Sequence, residues 1–333
     1  MIKKSRNLIA IALSTPFTLF QAASAADNSD VVINEPNFTF FSSLGILNVE
    51  KKDFDPEAFE TEVGINGTVK SNDFNVIYNL KVDLSNAINS RDTGGTDGEA
   101  DIHVKEASMI FPTSYGTFIL APRSTSGQYR DLYSNVDYFE YNEAHSGKTT
   151  PSGNTLFGQA SEGSDTVAWS SPKFYGFKFV AAALSVSENN NNDIDVKSFR
   201  TIYNEGGFNF GAGLVISSKT LTGATKDYKR SAITAGYKFN KVDLGTTYEV
   251  NTDTFGSAGD YNTLGVAARY YIDDSYSVAA AYYKKDSDID SNDNKGTVFQ
   301  IKKKIGKSIS LWAEAANYDI TPDNVALGVN LSY

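Results

Sequence analysis

Apolar and polar positions alternate along most of this chain, from Asn37 to the C-terminal end. In the stretch DFNVIYNLKVDLS every second residue from Phe74 to Leu84 is apolar, and NVALGVNLSY repeats the pattern up to Tyr333. Successive side chains of a β-strand point to opposite faces, so a period of two predicts strands with one apolar face. Sixteen strands are predicted, starting near Asn37, Ala58, Asp73, Asp101, Tyr115, Ser164, Gly176, Ile194, Gly207, Asp227, Lys241, Gly259, Ser275, Gly296, Lys307 and Asp323.

The connections between these strands are long and short in turn. Short ones such as KSND, NEGG and NK alternate with long ones such as NAINSRDTGGTDGEA and DSDIDSNDNK. Turns at one end and loops at the other are typical of outer-membrane barrels. No segment after residue 26 has the ~18 uncharged apolar residues of a membrane helix. The predicted fold is therefore all-β, a 16-stranded antiparallel transmembrane β-barrel with short periplasmic turns and longer extracellular loops.

The faces opposite the apolar ones carry many charges. On this phasing the inner face receives Glu60, Glu62, Lys81, Asp83, Lys105, Arg123, Arg200, Arg230, Lys238, Asp243, Glu249, Arg269, Lys302 and Glu314. Charges are costly in a dry core but suit the water-filled lumen of a 16-stranded barrel. A soluble β-sandwich or jelly roll is the structural alternative, and it should show neither these charges nor one-sided loop lengths.

The N-terminal end has the features of a secretory signal. Three basic residues precede the apolar run LIAIALSTPFTLF, and the small residues ASA end at Ala25. Residues 1–25 are predicted to be the signal peptide and residues 26–333 the barrel. Without the three basic residues of that signal, 27 of the 30 basic residues remain against 40 acidic ones, a net charge of −13. This charge disfavours nucleic acid as a partner, and export without any cysteine indicates a Gram-negative envelope.

One predicted connection, residues 124–163, is far longer than the others, and long structureless loops are usually functional. The stretch SYGTFILAPRSTSGQYRDLYSNVDYFEYNE at its start resembles the fifth strand and third loop of the general bacterial porins. VKEASMIF resembles their fourth strand, DTVAWSSPKFYGFKF their sixth and seventh strands, and LGVNLSY their closing strand. The whole mature chain is therefore similar to this family.

The resemblance implies a homotrimer in which the third loop folds into each barrel and narrows the pore. Carried over by position, Lys105 and Arg123 are cations of the wall. The corresponding acidic residues of the loop are Asp131, Asp137, Glu140 and Glu143.

The chain also departs from the family. Glu62 and Ser170 stand where many members have arginine, Ala121 and Pro122 replace the usual residues before Arg123, and the loop signature PEFGG is absent. Fewer cations and one more acid predict a weakly cation-selective pore. The full set of predicted pore residues is Glu62, Lys81, Lys105, Arg123, Asp131, Asp137, Glu140, Glu143, Arg200, Arg230, Arg269 and Lys302.

Residues that could carry other chemistry are few. His103 lies on a strand and His145 in the long loop, and no nucleophile motif accompanies either. The outer segment from Asp286 to Gly296 has alternating carboxylates but lacks the glutamate that completes a calcium loop. No enzymatic activity, cofactor or metal site is therefore predicted, beyond weak binding of divalent cations by that segment.

The predicted function is passive diffusion of small hydrophilic solutes and ions through an outer-membrane channel. One alternative is a substrate-specific porin for sugars or peptides, with Trp312 and Tyr129 as a stacking track. A barrel adhesin or a barrel hydrolase is a further alternative. Expected partners are outer-membrane lipids, lipopolysaccharide and the barrel-assembly machinery, which the resemblance implies reads the terminal aromatic Tyr333.

Overall fold

A computed structural model of the chain describes residues 31–71, 74–89, 102–125, 132–144, 156–159, 162–187, 193–254 and 259–333. The predicted signal peptide lies outside these residues. The strands are β1 (Val31–Ile33), β2 (Asn37–Val49), β3 (Asp55–Ser71), β4 (Phe74–Asp83), β5 (His103–Thr113), β6 (Gly116–Thr125), β7 (Glu162–Ser170), β8 (Phe177–Leu184), β9 (Val196–Glu205), β10 (Phe208–Ser217), β11 (Tyr228–Phe239), β12 (Val242–Thr252), β13 (Tyr261–Tyr271), β14 (Tyr276–Ser287), β15 (Asn294–Ile305), β16 (Ile309–Tyr318) and β17 (Asn324–Ser332). Two short helices, α1 (Ser85–Asn89) and α2 (Lys219–Thr222), and a 3₁₀ turn (Asp290–Asn292) lie in connections.

Strands β2 to β17 form a closed antiparallel barrel of sixteen strands, which confirms the predicted fold. Each strand pairs with the next, and β17 pairs with β2 from Asn324 opposite Val49 to Ser332 opposite Phe41. Beyond this pair, the backbones of Phe40 and Tyr333 exchange two N–H to O hydrogen bonds of 2.9 Å each. The C-terminal strand is therefore paired on both sides, and closure satisfies backbone groups that lipid could not.

The two faces of each strand meet different surroundings, as the alternation predicts. In β17 the apolar residues Val325, Leu327, Val329 and Leu331 are exposed on the outside, whereas Asn324 and Asn330 are buried on the inside. The outer apolar face matches a lipid environment, and the inner face carries the polar residues.

The ends of the barrel differ as the connection lengths predict. Gly206 and Gly207, with φ of 59° and 84°, form a two-residue turn between β9 and β10. In the turn before β14, Asp273 accepts backbone N–H groups of Tyr276 and Ser275 at 2.8 and 2.7 Å, and these bonds lower the pKa of its carboxyl group. Tight turns of this kind connect neighbouring strands at one end of the barrel, and the longer connections lie at the other end.

Two boundaries differ from the sequence-based expectation. The strand β1 was not predicted; it pairs with the end of β3, placing Val31 opposite Ser71. Strands β6 and β7 extend to Thr125 and from Glu162, so the long connection covers residues 126–161 and not 124–163. All sixteen predicted strands begin within three residues of the observed starts. Among the helices in the described part of the chain, none has the length and apolar character needed to cross a membrane.

Candidate functional site

The long connection between β6 and β7 packs against the inner wall of the barrel. Its described parts, residues 132–144 and 156–159, are called the inner loop here. The side chains of Thr247 and Glu249 are fully buried beneath it, whereas Tyr248 between them is exposed on the outer face. The largest buried apolar cluster joins the inner loop to this wall and contains Leu132, Tyr133, Val136, Phe139, Ala144, Leu156, Phe157, Ala232, Ala267, Ala279, Ala281, Tyr283, Val298, Ala316 and Tyr318. We call the inward faces of β10 to β17 the covered wall.

Glu314 of β16 binds the backbone of the inner loop. One carboxylate oxygen accepts the N–H of Glu140 at 2.5 Å, and the other accepts the N–H groups of Tyr141 at 3.2 Å and Asn142 at 3.0 Å. The side-chain amides of Asn142 and Gln300 also donate to this carboxylate, at 3.1 and 2.9 Å. A buried carboxylate surrounded by donors in this way fixes the path of three consecutive loop residues.

Glu249 of β12 forms a second attachment point for the inner loop. Its carboxylate accepts hydrogen bonds from the hydroxyl of Tyr133 and from the backbone N–H of Gly158, the latter at 2.6 Å. The guanidinium of Arg230 lies 3.9 Å from Glu249 and donates to the carbonyl oxygen of Gly158. Both ends of the inner loop are therefore held by buried charged groups of the wall.

A different set of charges lies on the strands that the inner loop leaves uncovered. Lys105 forms ion pairs with both Glu60 and Glu62, and Lys81 lies 3.0 Å from the second oxygen of Glu62. We call the inward faces of β3 to β5 that carry these four residues the open wall. Its two lysines and two glutamates balance in charge, so this group is neutral as a whole.

The acidic residues of the inner loop line an internal cavity of about 590 Å³ together with Glu60 of the open wall. The charged side chains around this cavity are Glu60, Asp137, Glu140, Glu143, Asp243, Lys238, Arg269 and Lys302, five acids against three bases. Lys302 forms an ion pair with Glu140, and Arg269 lies 4.4 Å from the ring centre of Tyr138. The cavity therefore has a surplus of negative charge.

Several inward charges do not face open water, contrary to the sequence-based expectation. Arg200, Arg230, Glu249 and Glu314 are at most 9 % exposed because the inner loop lies over them. The role of Arg230, Glu249 and Glu314 as anchors of the loop was not predicted. The only sequence signal for it is the run of small inward residues on the neighbouring strands, which leaves room for a packed segment.

The remaining predicted residues lie at the edges of the site. Arg123 is exposed near the end of β6, and His103 is half-buried at the start of β5. Tyr333 is exposed beside the β2–β17 seam. Asp131, Tyr129 and His145 lie outside the described residues. Trp312 is only 4 % exposed, and its ring centre lies 5.1 Å from that of Phe59. It therefore cannot serve in the predicted stacking track.

No group of three or more His, Asp or Glu residues that could hold a metal ion occurs in the described part of the chain. The segment from Asp286 to Gly296 uses its acids in local contacts instead. Asp293 accepts the N–H of Ser287 at 2.7 Å, and Asp286 pairs with Lys284 at 2.7 Å.

Comparisons with known proteins agree with this architecture. A family model described as Gram-negative porin matches residues 22–323. The solved OmpF of Salmonella typhi, in complex with daunomycin, superposes with a TM-score of 0.72 at 16% identity, over 90% of this chain and 98% of that one. An anion-selective porin from Comamonas acidovorans gives a TM-score of 0.69 at 14% identity, over 90% and 99%. The trimer form of OmpT from Vibrio cholerae gives 0.66 at 14% identity, over 92% and 100%. A search of curated proteins by sequence gave no significant match.

Proposed function

Because this chain belongs to the Gram-negative porin family and is a multi-pass β-barrel of the outer membrane, we propose that it is a channel for passive diffusion of small hydrophilic solutes and ions. The observation that carries this proposal is the placement of the inner loop. It packs on the covered wall, while Glu60 of the open wall and the acids of the loop line the same internal cavity. Such a space suits water and dissolved ions.

The inner loop acts as the constriction of this channel. Its acids Asp137, Glu140 and Glu143 face a cavity that Glu60 also lines, and the open wall adds no net positive charge. A ring of excess negative charge attracts cations, so the channel is weakly cation selective. The anion-selective porin from Comamonas acidovorans shares this fold, which supports assigning selectivity to the charges rather than to the barrel.

The functional unit is a homotrimer. The solved OmpT of Vibrio cholerae, which superposes over most of this chain, is described in a trimer form. In this assembly the outer faces that are not in contact with another subunit contact outer-membrane lipid and lipopolysaccharide.

Tyr333 serves as a signal for the barrel-assembly machinery. Its side chain is exposed although its backbone is paired with Phe40 in the closing seam. Deletion of Tyr333 is expected to lower the yield of assembled protein in the outer membrane while leaving the conductance of assembled channels unchanged. Wild-type yield in the deletion variant would refute this role.

A substrate-specific channel has less support, because Trp312 is buried, packed on Phe59 and hydrogen-bonded to Asn330. No catalytic role is proposed, since neither His103 nor any described carboxylate lies in an arrangement typical of a hydrolase.

Recording from the refolded protein in a planar lipid bilayer tests the proposal. We expect stepwise insertions in groups of three conductance levels, and a reversal potential of the cation-selective sign in a KCl gradient. Refolded barrels that insert without conducting would refute the channel, and a reversal potential of the opposite sign would refute the selectivity alone.

A further inference from the structure

We propose that two facing glycines of the covered wall, Gly236 of β11 and Gly245 of β12, are positioning residues that set the width of the channel. They allow the inner loop to lie directly on the wall instead of standing in the passage. This inference rests on the proposed channel function and adds the residues that determine how much of the lumen stays open.

The two glycines lie directly opposite each other in the sheet, and Asn135 of the inner loop lies over both. A methyl group at Gly245 would lie 1.8 Å from the backbone oxygen of Asn135. A methyl group at Gly236 would lie 2.3 Å from the side-chain oxygen of the same residue. Real Cβ atoms essentially never come closer than 3.0 Å to other heavy atoms, so a methyl group at Gly245 requires the backbone of the loop to move, and one at Gly236 requires the hydrogen-bonded side chain of Asn135 to move.

Backbone conformation does not explain these glycines. Neither Gly236 nor Gly245 has a positive φ angle, so any residue could adopt their extended conformation. Glycine inside a strand weakens the strand and often marks the close approach of another backbone. Here the backbone of the inner loop approaches Gly245, and the side chain of Asn135 approaches Gly236, so contact with the loop accounts for both positions.

The contact continues beside the glycine pair, toward β10 and Leu132. Methyl groups added at Gly211 and Gly213 of β10 would lie 2.7 and 2.5 Å from the side chain of Leu132. Hydrogen bonds hold the same segment down: Asn135 donates to Thr234 at 2.8 Å, and Thr247 donates to the carbonyl oxygen of Leu132 at 2.9 Å. Hydrogen bonds therefore hold the loop on the wall, and the absence of side chains at the glycines leaves the space that this contact needs.

Because well-packed contacts transmit a displacement rather than absorb it, a side chain at either glycine should move the inner loop into the passage. At Gly245 the gap to the backbone oxygen of Asn135 has to grow from 1.8 Å to at least 3.0 Å. That movement narrows the free cross-section on the side that faces the open wall.

The test is single-channel recording, with exclusion of polyethylene glycols of graded size, on four variants. In Gly245→Ala we expect the conductance to fall by roughly 20 to 50 per cent and smaller polymers to be excluded, since the obstruction is backbone. Gly236→Ala should show a similar fall, and Asn135→Ala added to it should restore most of the loss because the obstructing atom is in the side chain. Asn135→Ala alone supplies the baseline for this rescue.

Gly64→Ala is the matched control. Gly64 also faces the lumen, but its added methyl would meet the side chain of Thr39 and not the inner loop. Its conductance should equal that of the wild type.

Unchanged conductance in Gly245→Ala, or an equal fall in Gly236→Ala with and without Asn135→Ala, would overturn the inference while leaving the channel function intact. If Gly245→Ala does not fold, the Gly236→Ala pair decides the question alone. A wild-type protein that does not conduct would instead refute the proposed function.

Discussion

Glu314 on the covered wall and Glu62 on the open wall are the same residue type, both point into the barrel, and both are largely buried, at 2 % and 7 % exposure. Their partners differ. Glu314 accepts hydrogen bonds from three successive backbone N–H groups of the inner loop, whereas Glu62 pairs with the flexible side chains of Lys81 and Lys105. An inward charge is therefore an anchor where the loop covers it and part of the channel surface where the loop does not.

The two kinds of partner respond differently to loss of the carboxylate. Backbone N–H groups of a packed loop cannot turn to other acceptors, and a buried donor without a partner is costly. A lysine ammonium can rotate toward water or a second carboxylate, as Lys105 can toward Glu60. Charges beneath the inner loop should therefore control how firmly the loop is held, whereas ion preference should depend on the open wall together with the acids of the loop that line the cavity.

The largest effect is expected for Glu314→Gln. An amide offers one acceptor oxygen in place of two and turns its own N–H groups toward the donors of the loop, so unfolding free energy should fall by about 3 to 5 kcal/mol. Urea unfolding of the protein in lipid vesicles measures this. The control Glu62→Gln should lose less, about 1 to 2 kcal/mol, because Lys105 keeps its ion pair with Glu60 and Lys81 is partly exposed. Equal losses in the two variants would remove the distinction between the walls.

A smaller loss is expected for Tyr133→Phe. This change removes the hydroxyl that donates to the buried carboxylate of Glu249 but keeps the ring in the apolar cluster. The same unfolding measurement should show a loss of about 1 to 3 kcal/mol, because one acceptor is left partly unsatisfied.

The matched control is Tyr248→Phe on the outer face of β12, the strand of Glu249; its exposed side chain donates a hydrogen bond to half-buried Asn262. It should change stability by less than about 0.5 kcal/mol. A Tyr133→Phe variant as stable as this control would show that Glu249 does not hold the loop.

Lys105→Met tests the open wall. Removing this ammonium leaves the carboxylates of Glu60 and Glu62 with less compensation, so the reversal potential in a KCl gradient should move toward stronger cation selectivity. Lys81→Met should shift it less, because Lys81 pairs with Glu62 alone among the described acidic residues and is more exposed than Lys105. Open-channel noise should stay close to wild type in both variants, because the ion pairs of both lysines lie within the open wall. Lys105→Met should also lower stability, since it leaves two largely buried carboxylates without their shared ammonium. A shift toward anions would contradict the charge assignment.

Ionic strength should affect ion preference and loop anchoring differently, and this effect is expected to be smaller than those above. Raising the salt from about 0.1 to 1 M shortens the screening length from about 10 to 3 Å, so the cation preference should decline at a constant gradient ratio. The unfolding free energy lost in Tyr133→Phe should hardly change, since buried hydrogen bonds are weakly screened. If added salt reduced the cation preference and the stability loss of Tyr133→Phe equally, the hydrogen bond between Tyr133 and Glu249 would have to be exposed to solvent.

The strands could be predicted from the sequence, but the course of the inner loop could not. Runs such as the one from Phe74 to Leu84 have a period of two that fixes both the strand and its inward face. Strand β1 was missed because three residues before Pro36 are too few to show a period.

The anchors could not be predicted because they join distant parts of the chain. Glu314 meets Asn142 across 172 residues, and Glu249 meets Gly158 across 91. The alternation places both glutamates inside the barrel but does not reveal what lies over them. The stacking role of Trp312 in the substrate-specific alternative fails for the same reason, because the sequence does not show that Phe59 packs on its ring.

Single-channel recordings of Glu314→Gln and Glu62→Gln, made side by side at the same salt concentration, test the central claim most directly. We predict that Glu314→Gln gives a current that switches among sublevels, because residues 140–142 of the loop are released, with a reversal potential close to wild type. Glu62→Gln should give a steady current with the reversal potential shifted toward anions. Steady currents with equal reversal shifts in both variants would contradict the division of the inner surface into an anchoring wall and a selecting wall.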